Sequence, residues 1–299
     1  MNFYAATSIK TNLEFIIDYI RIIKCCLIDI EISPTLNQGK NMRSIARMGV
    51  FFTFLTSVYA ASAEVSLAES WGTVKGQVVF AGGNHTPEKL KVNKDEQHCL
   101  SKGDILSEKF VVDPKSKGVR WVMVWLVDSK NAKAQIPVHP SLADIKQKDI
   151  VLDQPCCVYE PHVMGMRAGQ VLVTKNSSPI NHNVNIISTG NNPNQNLLIP
   201  AGKELKVEGW SAAAAPTKIE CNIHPWMTAW VRVFNHPYFA VTDKDGNFEI
   251  KNAPAGEFNL VTWQEEVGWV KGGKAGVTIN IKADSVTDAG KIELNPAAN

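Results

Sequence analysis

Cys221-Asn222-Ile223-His224-Pro225-Trp226-Met227 places a thiol, an imidazole and a thioether within seven residues. With one further histidine these donors make the set that holds copper in one-electron sites. Two histidines and a cysteine lie in a trigonal plane there, and a methionine sulfur sits weakly on the axis. Cu(I) and Cu(II) are both tolerated in that geometry with little rearrangement, which favours fast electron transfer. The run Thr217-Lys218-Ile219-Glu220 reads as a strand, so Cys221 stands at a strand end. The further histidine is His182, in Asn181-His182-Asn183-Val184, which follows another strand ending in Asn176-Ser177-Ser178-Pro179. Singly, a Cys is commonly a small buried hydrophobe, a Met a core filler and a His a satisfied polar group. Their concentration on one short loop is what points to a metal, with His182, Cys221, His224 and Met227 as ligands.

The same residues resemble a family, the cupredoxins, and within it the compact amicyanin-type copper loop: Cys, two residues, His, Pro, an aromatic, Met. Trp226 takes the place of the usual Phe. The resemblance extends upstream through Tyr159-Glu160-Pro161-His162-Val163, Arg167-Ala168-Gly169-Gln170-Val171-Leu172-Val173 and Asn176 to His182-Asn183, covering roughly residues 155 to 235. It implies a Greek-key β-sandwich holding one mononuclear copper. It also implies that Asn183 ties the two ligand-bearing loops together near the Cys221 sulfur; Pro225, next to His224, is expected to surround that ligand's outer edge together with Trp226.

Outward from this module, residues 12 to 31 are rich in Ile and Leu, but Asp18, Arg21, Lys24 and Asp29 interrupt them, so they do not read as a membrane span. At Met42 a secretory signal begins, with Arg43 and Arg47, an apolar run from Met48 to Tyr59, and Ala61-Ser62-Ala63 as the cleavage pattern. Residues 1–41 read as an upstream extension, with translation starting at Met42, and 42–63 as the signal peptide; a genuine extension that places the signal internally is the alternative. The exported chain meets an oxidising periplasm or exterior where disulfides persist. Its cysteines are Cys99, Cys156, Cys157 and Cys221. With Cys221 on the metal, one bridge can form. Cys99 with Cys157 is preferred, and the neighbouring Cys156 is the other possible partner.

Removal of residues 1–63 leaves 25 basic and 25 acidic residues, a balance that argues against a nucleic-acid partner. All eight Trp remain, enough apolar mass for two modest domains. Strand signals are short and bounded by Gly, Pro, Asn and Asp, and helical patterning is scarce, so the fold class is all-β. Trp71-Gly72-Thr73-Val74-Lys75-Gly76-Gln77-Val78-Val79-Phe80 and Arg120-Trp121-Val122-Met123-Val124-Trp125-Leu126-Val127-Asp128 read as strands before the copper module. The Lys-rich stretch from Thr86 to Ser107 between them reads as a solvated face without function. After the module, Tyr238-Phe239-Ala240-Val241-Thr242 enters a hairpin at Asp243-Lys244-Asp245-Gly246 and leaves through Asn247-Phe248-Glu249-Ile250. Ala253-Pro254-Ala255-Gly256 makes a further turn before Phe258-Asn259-Leu260-Val261-Thr262-Trp263. The Asp and Asn side chains of the hairpin belong to the turn rather than to a calcium loop, since no EF-hand glutamate follows.

This second pattern resembles the transthyretin-like, carboxypeptidase regulatory-type sandwich. That resemblance implies a discontinuous smaller domain, residues 70–150 and 237–296, with the cupredoxin domain, 151–236, inserted in it; a tandem of two sandwiches is the alternative arrangement. No His-x-His pairs, His-Glu-x-x-His, phosphate-binding glycine loop or Gly-x-Ser-x-Gly elbow is present, so the chain is expected to be a non-enzyme. His162 and His236 read as surface or capping histidines. The expected function is an exported one-electron carrier between redox-protein partners, a donor and an acceptor, without a membrane span after signal cleavage. A copper delivery or storage protein and a metal-free β-sandwich binding module are the alternatives. The ring of His224 is expected at the surface, with Trp226 beside it as the partner-docking residue.

Overall fold

The structure, a computed structural model, describes residues 70–296; the proposed extension, 1–41, and signal peptide, 42–63, lie outside them. The described chain is all-β, with short strands in several sheets and only brief helical turns. No helix among the described residues is long and apolar enough to cross a membrane.

Two sheets surround the candidate ligands. One has five strands in the order Val163–Arg167, Thr228–Phe234, Thr217–Glu220, His182–Ile187 and Asn196–Ile199. The other has three, Glu204–Val207, Val171–Lys175 and Asp149–Leu152. Between them lies a core that includes Leu152, Tyr159, Met166, Leu172, Ile186, Ile219 and Val231. The strand Thr228–Phe234 shows why the register holds: successive side chains point to opposite faces. Ala229, Val231 and Val233 enter this core, while Trp230, Arg232 and Phe234 face the other way.

The remaining strands come from both sides of that module in sequence. Trp71–Phe80 pairs antiparallel with Asn247–Pro254 and parallel with Val286–Leu294. Met123–Asp128 pairs with Phe239–Val241 and with Gly256–Gln264. Their core gathers Val74, Val78, Val124, Leu126, Tyr238, Phe248 and Ile250. The hairpin at 243–246 is a turn held by Asp243, whose Oδ1 accepts from the backbone N–H groups of Asp245 and Asn247 at 2.9 Å each. Gly246 is required there: its φ is 77°, and a Cβ would lie 2.2 Å from Val78 O.

A third, aromatic cluster joins the two groups of sheets, with Trp121, Met123, Trp125, Phe234, Val261 and Trp263 at its centre. Phe234 stacks on Phe239 at 4.3 Å, and Trp230 meets Trp263 edge-on at 5.1 Å. His162 belongs to this junction rather than to the surface. It is 3% exposed, its Nε2 lies 2.6 Å from Glu265 Oε2, and its Nδ1 lies 2.9 Å from Thr228 O. His236 is likewise buried rather than at the surface, while its Nδ1 caps the backbone locally, accepting from Tyr238 N–H at 3.1 Å. The interior position of His162 could not be read locally, because its partners come from distant segments.

The stretch 86–107 also departs from a solvated face. It contains a short helix, Glu96–Cys99, and Cys99 is buried and bridged to Cys157. Cys156 remains a free thiol. The preferred pairing is therefore the observed one.

Candidate metal centre

His182 opens the strand His182–Ile187, and Cys221 directly follows Thr217–Glu220; these strands are antiparallel neighbours. Sheet pairing thus brings together ligand types 39 residues apart. The loop then turns back: Met227 N–H donates to His224 O at 2.9 Å, and Cys221 N–H donates to Met227 O at 3.1 Å. That closure fixes the Cys221, His224 and Met227 backbones in one tight unit, followed at once by Thr228–Phe234.

The Cys221 sulfur lies 4.0 Å from His182 Nδ1 and 3.8 Å from His224 Nδ1. A trigonal metal with bonds of about 2.0 Å to nitrogen and about 2.3 Å to sulfur would need a nitrogen–sulfur spacing of ~3.8 Å. The three residues form one of two groups of potential metal-binding side chains among the described residues, and all three are buried. The donor set and spacing therefore fit copper. Met227 is 1% exposed and packs in the same core as Cys221.

Asn183 links the two ligand-bearing segments. Its Oδ1 accepts from the backbone N–H groups of Asn222 at 2.7 Å and Ile223 at 3.1 Å, and lies 3.3 Å from the Cys221 sulfur. Its Nδ2 donates to Asn222 Oδ1 and Asn196 Oδ1. Tyr159, fully buried, donates its hydroxyl to Asn183 O at 2.6 Å and braces the same residue from below. The backbone N–H of His224 approaches the Cys221 sulfur at 3.4 Å.

Sequence reasoning missed Asp95. Its Oδ2 is 2.8 Å from His224 Nε2, so the carboxylate accepts the Nε2 proton and leaves Nδ1 facing the sulfur with a free lone pair. Asp95 precedes the helix Glu96–Cys99 with φ 49°, a left-handed conformation that Asp tolerates better than most residues, and its carbonyl accepts from Cys99 N–H at 2.9 Å. Cys99 is in turn tied to Cys157. The second group of potential ligands is this bridge with His224, one ligand atom from each lying within 4.8 Å of the others. Bridged, the two sulfurs supply no thiolate, and they act as packing against the imidazole. His224 is consequently 0% exposed, which corrects the expectation of a ring edge at the surface.

Burial pushes His182 down to about 4, helped by neighbouring His224, and the ring stays a neutral donor at physiological pH. Burial lowers His224 as well, opposed by Asp95. Pro225 is exposed. Trp226 is half-buried; its Nε1 donates to Cys157 O at 3.1 Å, and its ring lies edge-on to His224 at 5.2 Å. Trp226 also lines a cavity of about 230 Å³ with Leu90, Glu108, His162, Glu220 and Met227.

No family model matches the sequence. No curated protein matches it either. Among solved structures, an oxidised proline-to-alanine variant of amicyanin matches at 21% identity, covering 31% of this chain and 88% of that one, with a TM-score of 0.26. A reduced tryptophan-to-tyrosine variant of amicyanin matches at 18% identity over 37% of this chain and 98% of that one, TM-score 0.26. A copper-containing nitrite reductase from Thermus scotoductus matches at 14% identity over 34% of this chain and 28% of that one, TM-score 0.27. This last protein is an enzyme, and it overturns the expectation that the chain falls among non-enzymes: the similar structures include both kinds. The similarity of these structures spans about a third of the chain and proteins of the cupredoxin fold, and it does not extend to the second, transthyretin-like pattern.

Proposed function

We propose that the chain is an exported mononuclear blue-copper protein that carries one electron at a time between redox partners. The observation that carries this reading is the buried triangle of the Cys221 sulfur and the Nδ1 atoms of His182 and His224, at 4.0 and 3.8 Å. Copper bound there supplies a one-electron Cu(I)/Cu(II) couple. His182, Cys221 and His224 would hold it through two nitrogens and a sulfur, and Met227, buried beside them, would add a weak thioether donor. Asn183 and Asp95 fix the thiolate and the His224 ring before metal arrives, so little reorganises on electron transfer. An export destination, periplasmic or extracellular, accords with the buried Cys99–Cys157 disulfide. The sheets formed by residues on both sides of the copper module serve as its scaffold, a discontinuous carboxypeptidase regulatory-like domain carrying an inserted cupredoxin. Exposed Pro225 and the accessible part of Trp226 are the docking patch for a redox partner, whose transient contacts need only a small interface with an aromatic anchor.

The test is the visible and spin-resonance spectrum of copper-loaded protein. Intense colour when oxidised, bleached by reduction and absent in Cys221→Ser, is the expected result. A Cys221→Ser protein of undiminished colour would falsify the site.

A further inference from the structure

The face of Thr228–Phe234 that points away from the copper module carries an uncompensated cation. Arg232 lies there among the aromatic residues of the junction and is 8% exposed. Its guanidinium carbon stands 3.7 Å over the Trp125 ring and 4.6 Å over the Phe234 ring. Nε donates to Ala213 O at 3.2 Å. Nη1 is buried and has no hydrogen-bond partner among the described residues, and the same is true of the indole Nε1 of Trp125, a residue 1% exposed. Arg232 and Trp125 line one cavity of about 230 Å³, walled by segments 132–136 and 212–214. Exposed Lys133 and buried His236 line it too, and no aspartate or glutamate does.

An unpaired buried guanidinium is costly, and stacking on an aromatic face offsets only part of that cost. The buried indole N–H left without an acceptor is unfavourable in its own right. Guanidinium and indole N–H groups donate only. What the cavity lacks is thus an acceptor that brings negative charge. The electrostatics agree with the geometry. Burial alone lowers Arg232 to about 9, and burial together with the Arg232 and Arg167 charges lowers His236 to about 4.

We propose that this cavity is a binding site for a small oxyanion, a carboxylate or an inorganic tetrahedral anion, seated by the Arg232 guanidinium and the Trp125 indole N–H with Lys133 at its mouth. Occupation would clamp the two groups of sheets at their shared aromatic face. It is independent of copper, so the proposal stands or falls apart from the metal reading.

The experiment is a nitrogen-15 NMR titration of the full protein with acetate, succinate, sulfate and phosphate at constant ionic strength, chloride being the control. Saturable shifts of the Trp125 indole and Arg232 Nε–H signals, with a rise in melting temperature, are expected. Shifts with the carboxylates alone assign a carboxylate, shifts with sulfate and phosphate alone an inorganic anion, and both outcomes support the site. Arg232→Met should weaken binding at least about tenfold, and Lys133→Gln about threefold. Should Arg232→Met fail to fold, the wild-type titration and Lys133→Gln still decide. Signals unmoved by all four anions, or moved equally by chloride, overturn the proposal and leave Arg232 as a stacked structural cation.

Discussion

Asp95 and His224, 129 residues apart in sequence, meet at 2.8 Å, and this one contact caps and orients an imidazole that was expected at the surface. A carboxylate on the outer ring nitrogen fixes the tautomer and raises the basicity of the inner one. Asp95→Asn should therefore lower copper affinity about 10- to 100-fold while the colour persists. The reduction potential should rise by about 60 mV, a tenfold shift in the one-electron equilibrium, since removing negative charge disfavours the more highly charged Cu(II). Competition against a chelator and potentiometry read the two effects. Unchanged affinity and potential would leave Asp95 as a cover only.

Trp226 has two roles to separate, support of the loop through Cys157 O and contact with a partner. In Trp226→Lys, electron exchange should slow by about tenfold or more, the loss of roughly 1.4 kcal/mol expected of an anchor residue, while copper, spectrum and melting temperature stay near native. Stopped-flow exchange beside a thermal melt distinguishes this from a core role, in which the substitution would strip the copper or unfold the loop.

The Cys99–Cys157 bridge closes a sequence separation of 58 residues and anchors the segment that bears Asp95. The double substitution Cys99→Ala, Cys157→Ala should cost about 4 kcal/mol of stability by the chain-entropy model. It should also speed copper loss, because Asp95 is then tethered only through its own turn. Non-reducing peptide maps should find Cys99 joined to Cys157 and Cys156 alkylatable. Equal copper off-rates with and without the bridge would refute its part in holding Asp95.

His236 sets a pH dependence. Its folded-state pKa, about 4 through burial and the Arg232 and Arg167 charges, lies below the ordinary 6.5, so the unfolded chain binds more protons between those values. Stability is fully present above pH 6.5 and is lost as pH falls toward 4, by about 3 kcal/mol if His236 acts alone. His182, shifted the same way in metal-free protein, steepens the loss. Chemical denaturation at several pH values should show a shallower slope in His236→Gln. An identical slope would mean that other groups govern acid unfolding.

The candidate metal-binding loop was legible in the sequence because its chemistry is local. Cys221, His224 and Met227 lie on one turn whose closure needs no distant partner, and His182 arrives by pairing of the two adjoining strands. The all-β class was legible for the same reason, since period-two patterning is written along each strand. So was the 243–246 turn, where Asp243 bonds to its own near backbone. The Cys99–Cys157 bridge followed from counting thiols, although adjacency alone could not separate Cys157 from Cys156. The cover over His224, the His162–Glu265 pair at the junction and the uncompensated Arg232 were not legible. A polar, Lys-rich run such as 86–107 has the same composition whether water or an imidazole lies beneath it, and a histidine carries no mark of a carboxylate 103 or 129 residues away. Local pattern determined which residues could bind metal. Only the packing of distant segments decided which of them would be buried, oriented and charged, because those properties depend on what the fold sets against each side chain.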